Sequence, residues 1–101
     1  MKNSSLEKEI QRLRKKIDSL DEELLILLNR RTKLAQEIGK IKQLLGIPVY
    51  SPEREAEIME LVQASNKGPL SKAAIRRLFE RIIDESRSLE RSTVEKVKKS
   101  K

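Results

Sequence analysis

Cysteine, histidine and tryptophan are absent from this chain. Without cysteine there are no disulfides and no thiolate metal sites. Without histidine, catalysis by His–Cys, His–Ser or His–Asp pairs is excluded, and only carboxylates are left to ligate a metal. The only aromatic residues are Tyr50 and Phe79, too few for the stacking surface of a single-stranded nucleic-acid binder. The N-terminus has no continuous apolar core of a signal peptide, and no apolar run approaches membrane-spanning length. These absences predict a soluble cytoplasmic protein with no membrane partner.

Charge is what the chain has in quantity. Of its 101 residues, 39% are charged, with a formal net charge of +7. Residues 1–50 carry 11 basic and 7 acidic groups, residues 51–93 carry 8 of each, and residues 94–101 carry 4 and 1. Part of the excess therefore belongs to the tail "KVKKSK", read here as a solvated basic tail, residues 94–101. A basic balance suits nucleic acid or a small anionic substrate, and composition does not choose between them.

One domain is expected from the length. Leu6, Ile10, Leu13, Ile17, Leu20, Leu24, Leu27, Arg31, Leu34, Ile38, Ile41 and Leu45 alternate in steps of four and three. That heptad-like seam predicts one long helix, preceded by a disordered N-terminus, residues 1–5. Gly46, Ile47 and Pro48 break it. Ser51 as N-cap and Pro52 at the first position predict a short second helix to about Ala64, with Ile58, Leu61 and Val62 as its apolar face. "SNKGP" predicts a turn. Ser71 can cap a third helix, to about Val97, whose stripe is Ile75, Leu78, Phe79, Ile82, Ile83 and Leu89. No stretch alternates as a strand. The fold class is therefore all-α, three helices per protomer. A helix of ~40 residues is ~60 Å long, against a radius of gyration of ~13 Å for a compact domain of this size. Its seam needs apolar cover that two shorter helices do not supply, so a dimer with the long helices packed together is expected.

Polar residues interrupt this pattern at informative places. Arg31 lies on the seam itself, where an unpaired charge is costly. Lys42 follows 11 residues later, pointing within ~20° of Arg31 and ~16 Å along the axis. Two long cations so placed can bracket a small dianion. Arg14 lies ~26 Å before Arg31 and is rotated by ~100°. It cannot serve the same pocket within one chain, but with antiparallel long helices it reaches the partner's. Solvation along an exposed face is the ordinary fate of such cations, most plainly for Arg14 and Lys42. On the third helix Ser86 and Glu90 continue the face of Phe79, Ile82 and Ile83, either because the core ends there or because they line a pocket opposite Lys42. Glu55 in the first turn of the second helix suits the helix dipole, whereas Arg54 beside it does not.

In their order and spacing, "LRKKIDSLDEELLILLNRR", "EIGKIK", "GIPVYSPERE" and "LFERIIDESRSLE" resemble the all-helical chorismate mutase family over about residues 6–92. The resemblance implies a catalytic domain at residues 6–93 and an intertwined dimer in which each site takes one arginine from the other chain. It implies the pericyclic rearrangement of chorismate to prephenate, in aromatic amino-acid biosynthesis. That reaction needs no cofactor, nucleophile or proton shuttle, which fits a chain without His or Cys.

By the same resemblance, Arg31 and the partner's Arg14 would bind the substrate carboxylates. Lys42 would donate to the ether oxygen and Glu55 would accept from the ring hydroxyl. Arg54 would add to the cationic lining, and Ser86 would assist at a carboxylate. Glu90 would be the second donor to the ether oxygen. Ser51 stands where the family often has Asp, a contact that backbone can make instead. Glu90 stands where Gln is frequent. A carboxylate accepts but does not donate, so Glu90 must act protonated, or activity at neutral pH suffers.

Two other readings stay open on sequence. Isochorismate-pyruvate lyases share the fold, the arginines and the lysine, but Glu55 favours the mutase. A basic helical dimerisation or nucleic-acid-binding module would account for the charge and the heptads. The interleaved acids and the lack of a recognition motif speak against it, so no nucleic-acid partner is expected.

Overall fold

In the computed structural model the described residues form three helices with two short connections: α1 (Lys2–Leu45), α2 (Pro52–Ser65) and α3 (Lys72–Ser100). Secondary structure is described for residues 2–100 and side-chain burial for residues 3–96. The architecture is all-α, as the periodicity predicts. The outer bounds differ from the sequence-based ones. α1 begins at Lys2 rather than Leu6, and α3 runs to Ser100 rather than Val97. No Gly or Pro stands in either extension, so nothing there stops a helix. Met1 and Lys101, the extreme ends of the expected N-terminal segment and basic tail, lie outside the described residues.

Each break has a local cause. α1 ends in a Schellman motif. Gly46 adopts φ +70°, the Gly46 N–H donates to the Gln43 carbonyl at 3.3 Å, and the Ile47 N–H donates to the Lys42 carbonyl at 3.0 Å. Pro52 opens α2, where the Ser51 carbonyl accepts from the Glu55 N–H at 3.0 Å. The Ser51 hydroxyl makes no cap hydrogen bond, so this cap is backbone alone, unlike the one expected. Ser71 caps α3 as expected, its Oγ accepting from the Ala74 N–H at 3.1 Å. Between α2 and α3, the Asn66 side chain accepts from the Gly68 N–H at 3.0 Å and donates to the Leu70 carbonyl at 2.7 Å. Asparagine is suited to such local turns.

The chain divides into two units, residues 1–31 and 32–101, with the division inside α1. In the first unit no described side chain is buried. The apolar stripe from Leu6 to Leu27 is 46–63% exposed at its seam positions. Burial of such side chains is worth about 1.5–3 kcal/mol each, and that stabilisation is not realised within the first unit. On its polar side Arg12 pairs with Glu9, and the Asn29 amide donates to the Leu25 carbonyl at 3.0 Å.

The second unit has a small core made of Ala35, Ile75, Ile83 and Thr93. The Thr93 hydroxyl donates to the Leu89 carbonyl at 2.9 Å, which satisfies the one buried polar side chain among the described residues. α2 packs on α3. Ile58 and Val62 are half-buried, while Leu61 and Leu78, expected on the apolar faces, are exposed. Gly39 is buried. A Cβ there would lie 3.3 Å from the Glu90 carbonyl oxygen and 3.4 Å from its Cα. The residue 32–45 part of α1 therefore meets the α3 backbone here without an intervening side chain.

Candidate functional site

The Gly39–Glu90 contact decides what comes next on α1. Three residues further, nearly one helical turn, Lys42 stands beside Glu90. Its Nζ donates to Glu90 Oε2 at 3.3 Å and to the Val49 carbonyl at 2.7 Å. The two side chains are only 16% and 12% exposed. An ammonium has three donors, so Lys42 keeps one proton for another acceptor. Its bond to Val49 also ties the segment after α1 to the helix. A groove opens here, bounded by Lys42, Pro48, Val49, Tyr50 and Arg91.

A second ionic cluster adjoins the first. Arg87 Nε donates to Glu55 Oε2 at 2.9 Å, and Arg87 Nη2 to Glu55 Oε1 at 2.8 Å. The same Nη2 reaches Asp84 at 3.1 Å. The guanidinium carbon lies 5.2 Å from the centroid of the Tyr50 ring, within cation–π range. The hydrogen bonds to Glu55 raise the Arg87 pKa above its ordinary value, desolvation works in the opposite sense, and the charges of Glu55 and Asp84 add to the rise. Arg87 is therefore charged at every accessible pH. Val49 and Tyr50 are neighbours in the chain, and Arg87 and Glu90 are three apart on α3. The two clusters thus share both their elements.

The other expected site residues are placed as follows. Arg54 is exposed and pairs with Glu57 one turn along α2. Ser51 and Ser86 are half-buried. Arg14 and Arg31 belong to the first unit, where Arg14 is exposed and Arg31 half-buried. Arg87 does not stand out in the sequence. It reads there as one more charge on a solvated helix face, three residues after Asp84, and its principal partner is 32 residues away.

Among the described residues no helix is long and apolar enough to cross a membrane. Nor does any group of three or more acidic side chains among them form a metal-binding cluster. The site's chemistry is that of fixed charges and hydrogen-bond donors around a small groove.

Comparison with known proteins gives this arrangement a family context. The family model "Chorismate mutase type II" matches residues 13–91. A solved structure of chorismate mutase (form II) from Thermus thermophilus is similar with a TM-score of 0.81 and 43% identity, over 82% of this chain and 94% of that one. A bifunctional chorismate mutase/prephenate dehydratase from Aquifex aeolicus is 44% identical over 87 residues, covering 82% of this chain. One with the same name from Escherichia coli K12 is 44% identical over 75 residues, covering 73% of this chain. The chain spans only 24% and 19% of the length of these two bifunctional relatives.

Proposed function

We propose, from the premise that the chain belongs to the chorismate mutase type II family, that it rearranges chorismate to prephenate within residues 6–93. The observation that carries this reading is the part-buried Lys42–Glu90 pair beside a groove. A pericyclic rearrangement breaks the substrate's ether C–O bond and forms a C–C bond in one step. No proton, electron or group is exchanged with the protein. Catalysis must therefore come from selecting a compact conformer and from charge placed where the transition state becomes polar.

In this scheme the third N–H of Lys42 donates a hydrogen bond to the ether oxygen, which gains negative charge as its bond breaks. Glu90, protonated, gives that oxygen a second hydrogen bond. Glu55 accepts from the ring hydroxyl. Arg31 and Arg14 bind the two carboxylates, Ser86 assists at one of them, and Ser51 contributes through its backbone. Arg54 adds positive charge to the approach.

Arg14 acts in trans. The exposed seam from Leu6 to Leu27 is the surface that supports a homodimer, since a second copy presents the same stripe. The names of the relatives support a place in aromatic amino-acid synthesis, and a cytoplasmic setting is part of the same proposal.

The test is a chorismate-consumption assay on the wild-type chain and on Lys42→Ala. Consumption by wild type that is lost in the variant supports this assignment. Equal rates in both sink it.

A further inference from the structure

Glu55 poses an electrostatic problem for the function proposed above, on which this inference rests. Its carboxylate is asked to accept a hydrogen bond from a substrate that already carries two negative charges. A bare carboxylate so close to a dianion repels it, and repulsion between unit charges in a partly buried site is substantial. Glu55 also has three rotatable side-chain bonds, so nothing in α2 alone fixes where its oxygens point.

Arg87 answers both needs. Its guanidinium meets Glu55 as a fork, with Nε on Oε2 at 2.9 Å and Nη2 on Oε1 at 2.8 Å. Both side chains are 25% exposed, so the pair is neither a solvated surface contact nor fully enclosed. Bidentate pairing fixes the plane of the carboxylate. It uses one lone pair on each oxygen and leaves the others for a further donor. Arg87 is itself held in place, by Asp84 at 3.1 Å and by the Tyr50 ring at 5.2 Å. Asp84 sits one turn back on the same helix, so it braces the guanidinium from α3 itself.

We infer that Arg87 is a positioning residue for substrate recognition: it orients the Glu55 carboxylate and neutralises its charge, so that Glu55 accepts from the ring hydroxyl without repelling the dianion. Arg87 touches no reacting atom. It acts through Glu55, across the α2–α3 contact. Because the hydroxyl contact is made before and during the rearrangement, the effect falls on KM more than on kcat.

The experiment is a double-mutant cycle on the full chain with chorismate as substrate, at low and high ionic strength. Arg87→Met should raise KM about tenfold at low salt, with less change at high salt because screening weakens the repulsion, and should leave kcat nearly unchanged. Arg87→Lys keeps the charge but loses the fork, and should recover most of the KM. On a Glu55→Gln background, which has no charge to neutralise, Arg87→Met should change KM by less than about twofold.

Equal losses on both backgrounds, or a loss confined to kcat, or an Arg87→Lys variant as impaired as Arg87→Met at both salt concentrations, would overturn the role. If Arg87→Met does not fold, Arg87→Lys and Arg87→Gln are compared on the two backgrounds by the same criteria. Failure of the unsubstituted chain to make prephenate overturns the functional reading itself. Prephenate formation without the KM coupling overturns only the role of Arg87.

Discussion

Lys42 on α1 and Glu90 on α3 are joined by a 3.3 Å contact between Nζ and Oε2, with both side chains largely withdrawn from solvent. In this form the pair is an ammonium donating to a carboxylate. The proposed catalysis asks for a different arrangement, with both groups donating to one developing oxyanion. The change in Glu90 from acceptor to donor requires a proton, and this sets the first expectation.

Glu90→Gln keeps the size of the side chain and supplies an N–H donor at every pH. If Glu90 must donate, wild-type turnover should decline towards alkaline pH. The Gln variant should hold its rate over the same range. The check is a pair of pH–rate profiles, taken where both proteins stay folded. Profiles of identical shape, or a wild type that gains activity with rising pH, would remove Glu90 as a donor.

Lys42 should matter more in the transition state than in the ground state, since the ether oxygen is anionic only once its bond is breaking. Removing one preorganised donor typically costs ~10²–10³ in turnover. Lys42→Ala should show that loss in kcat with a much smaller change in substrate affinity. Inhibitor binding measured by calorimetry on the same variant separates the two effects. A variant with ordinary kcat and weakened binding would make Lys42 a simple anchor.

Gly39→Ala tests how closely α1 and α3 must approach. The helix gains about 1 kcal/mol from replacing Gly by Ala. Against this, the new Cβ lies 3.3 Å from the Glu90 carbonyl oxygen, and helical backbone yields little. Overpacking of this kind costs about 1–3 kcal/mol. A small net loss of thermal stability is expected, with a larger loss of turnover because Glu90 is displaced from Lys42. Unchanged kcat in a normally folded variant would show that the spacing is not critical.

How far the chain can be read without coordinates follows the range of each interaction. The α1 seam, the Gly46 stop and the Ser71 cap are local patterns, and each is found where the sequence places it. The Ser51 cap follows from residue type, yet its hydroxyl makes no cap hydrogen bond. Leu61 and Leu78 fit their helical stripes but are exposed, since periodicity gives a face without saying what covers it. Arg87 is hidden for a different reason. Its neighbour Asp84 makes it look like an ordinary surface i,i+3 partner, whereas Glu55 and Tyr50 reach it only through the packing of α2 and the preceding segment on α3.

The proposed contribution of Arg14 in trans predicts complementation. Arg14→Ala and Arg31→Ala homodimers should each be nearly inactive. A heterodimer of the two has one site lacking both arginines and one site intact. Mixing the variants under conditions that exchange subunits should therefore restore activity, up to half the wild-type rate per heterodimer. Heterodimers shown to form by native mass spectrometry, yet still inactive, would mean that Arg14 does not act in trans.

The most direct measurement is product identification by NMR, with the purified chain incubated in one tube with chorismate and in another with isochorismate. The account predicts prephenate in the first tube, formed one for one as chorismate disappears, and no pyruvate in the second. Pyruvate released from isochorismate, with chorismate left intact, would contradict it and assign the groove around Lys42 to a lyase.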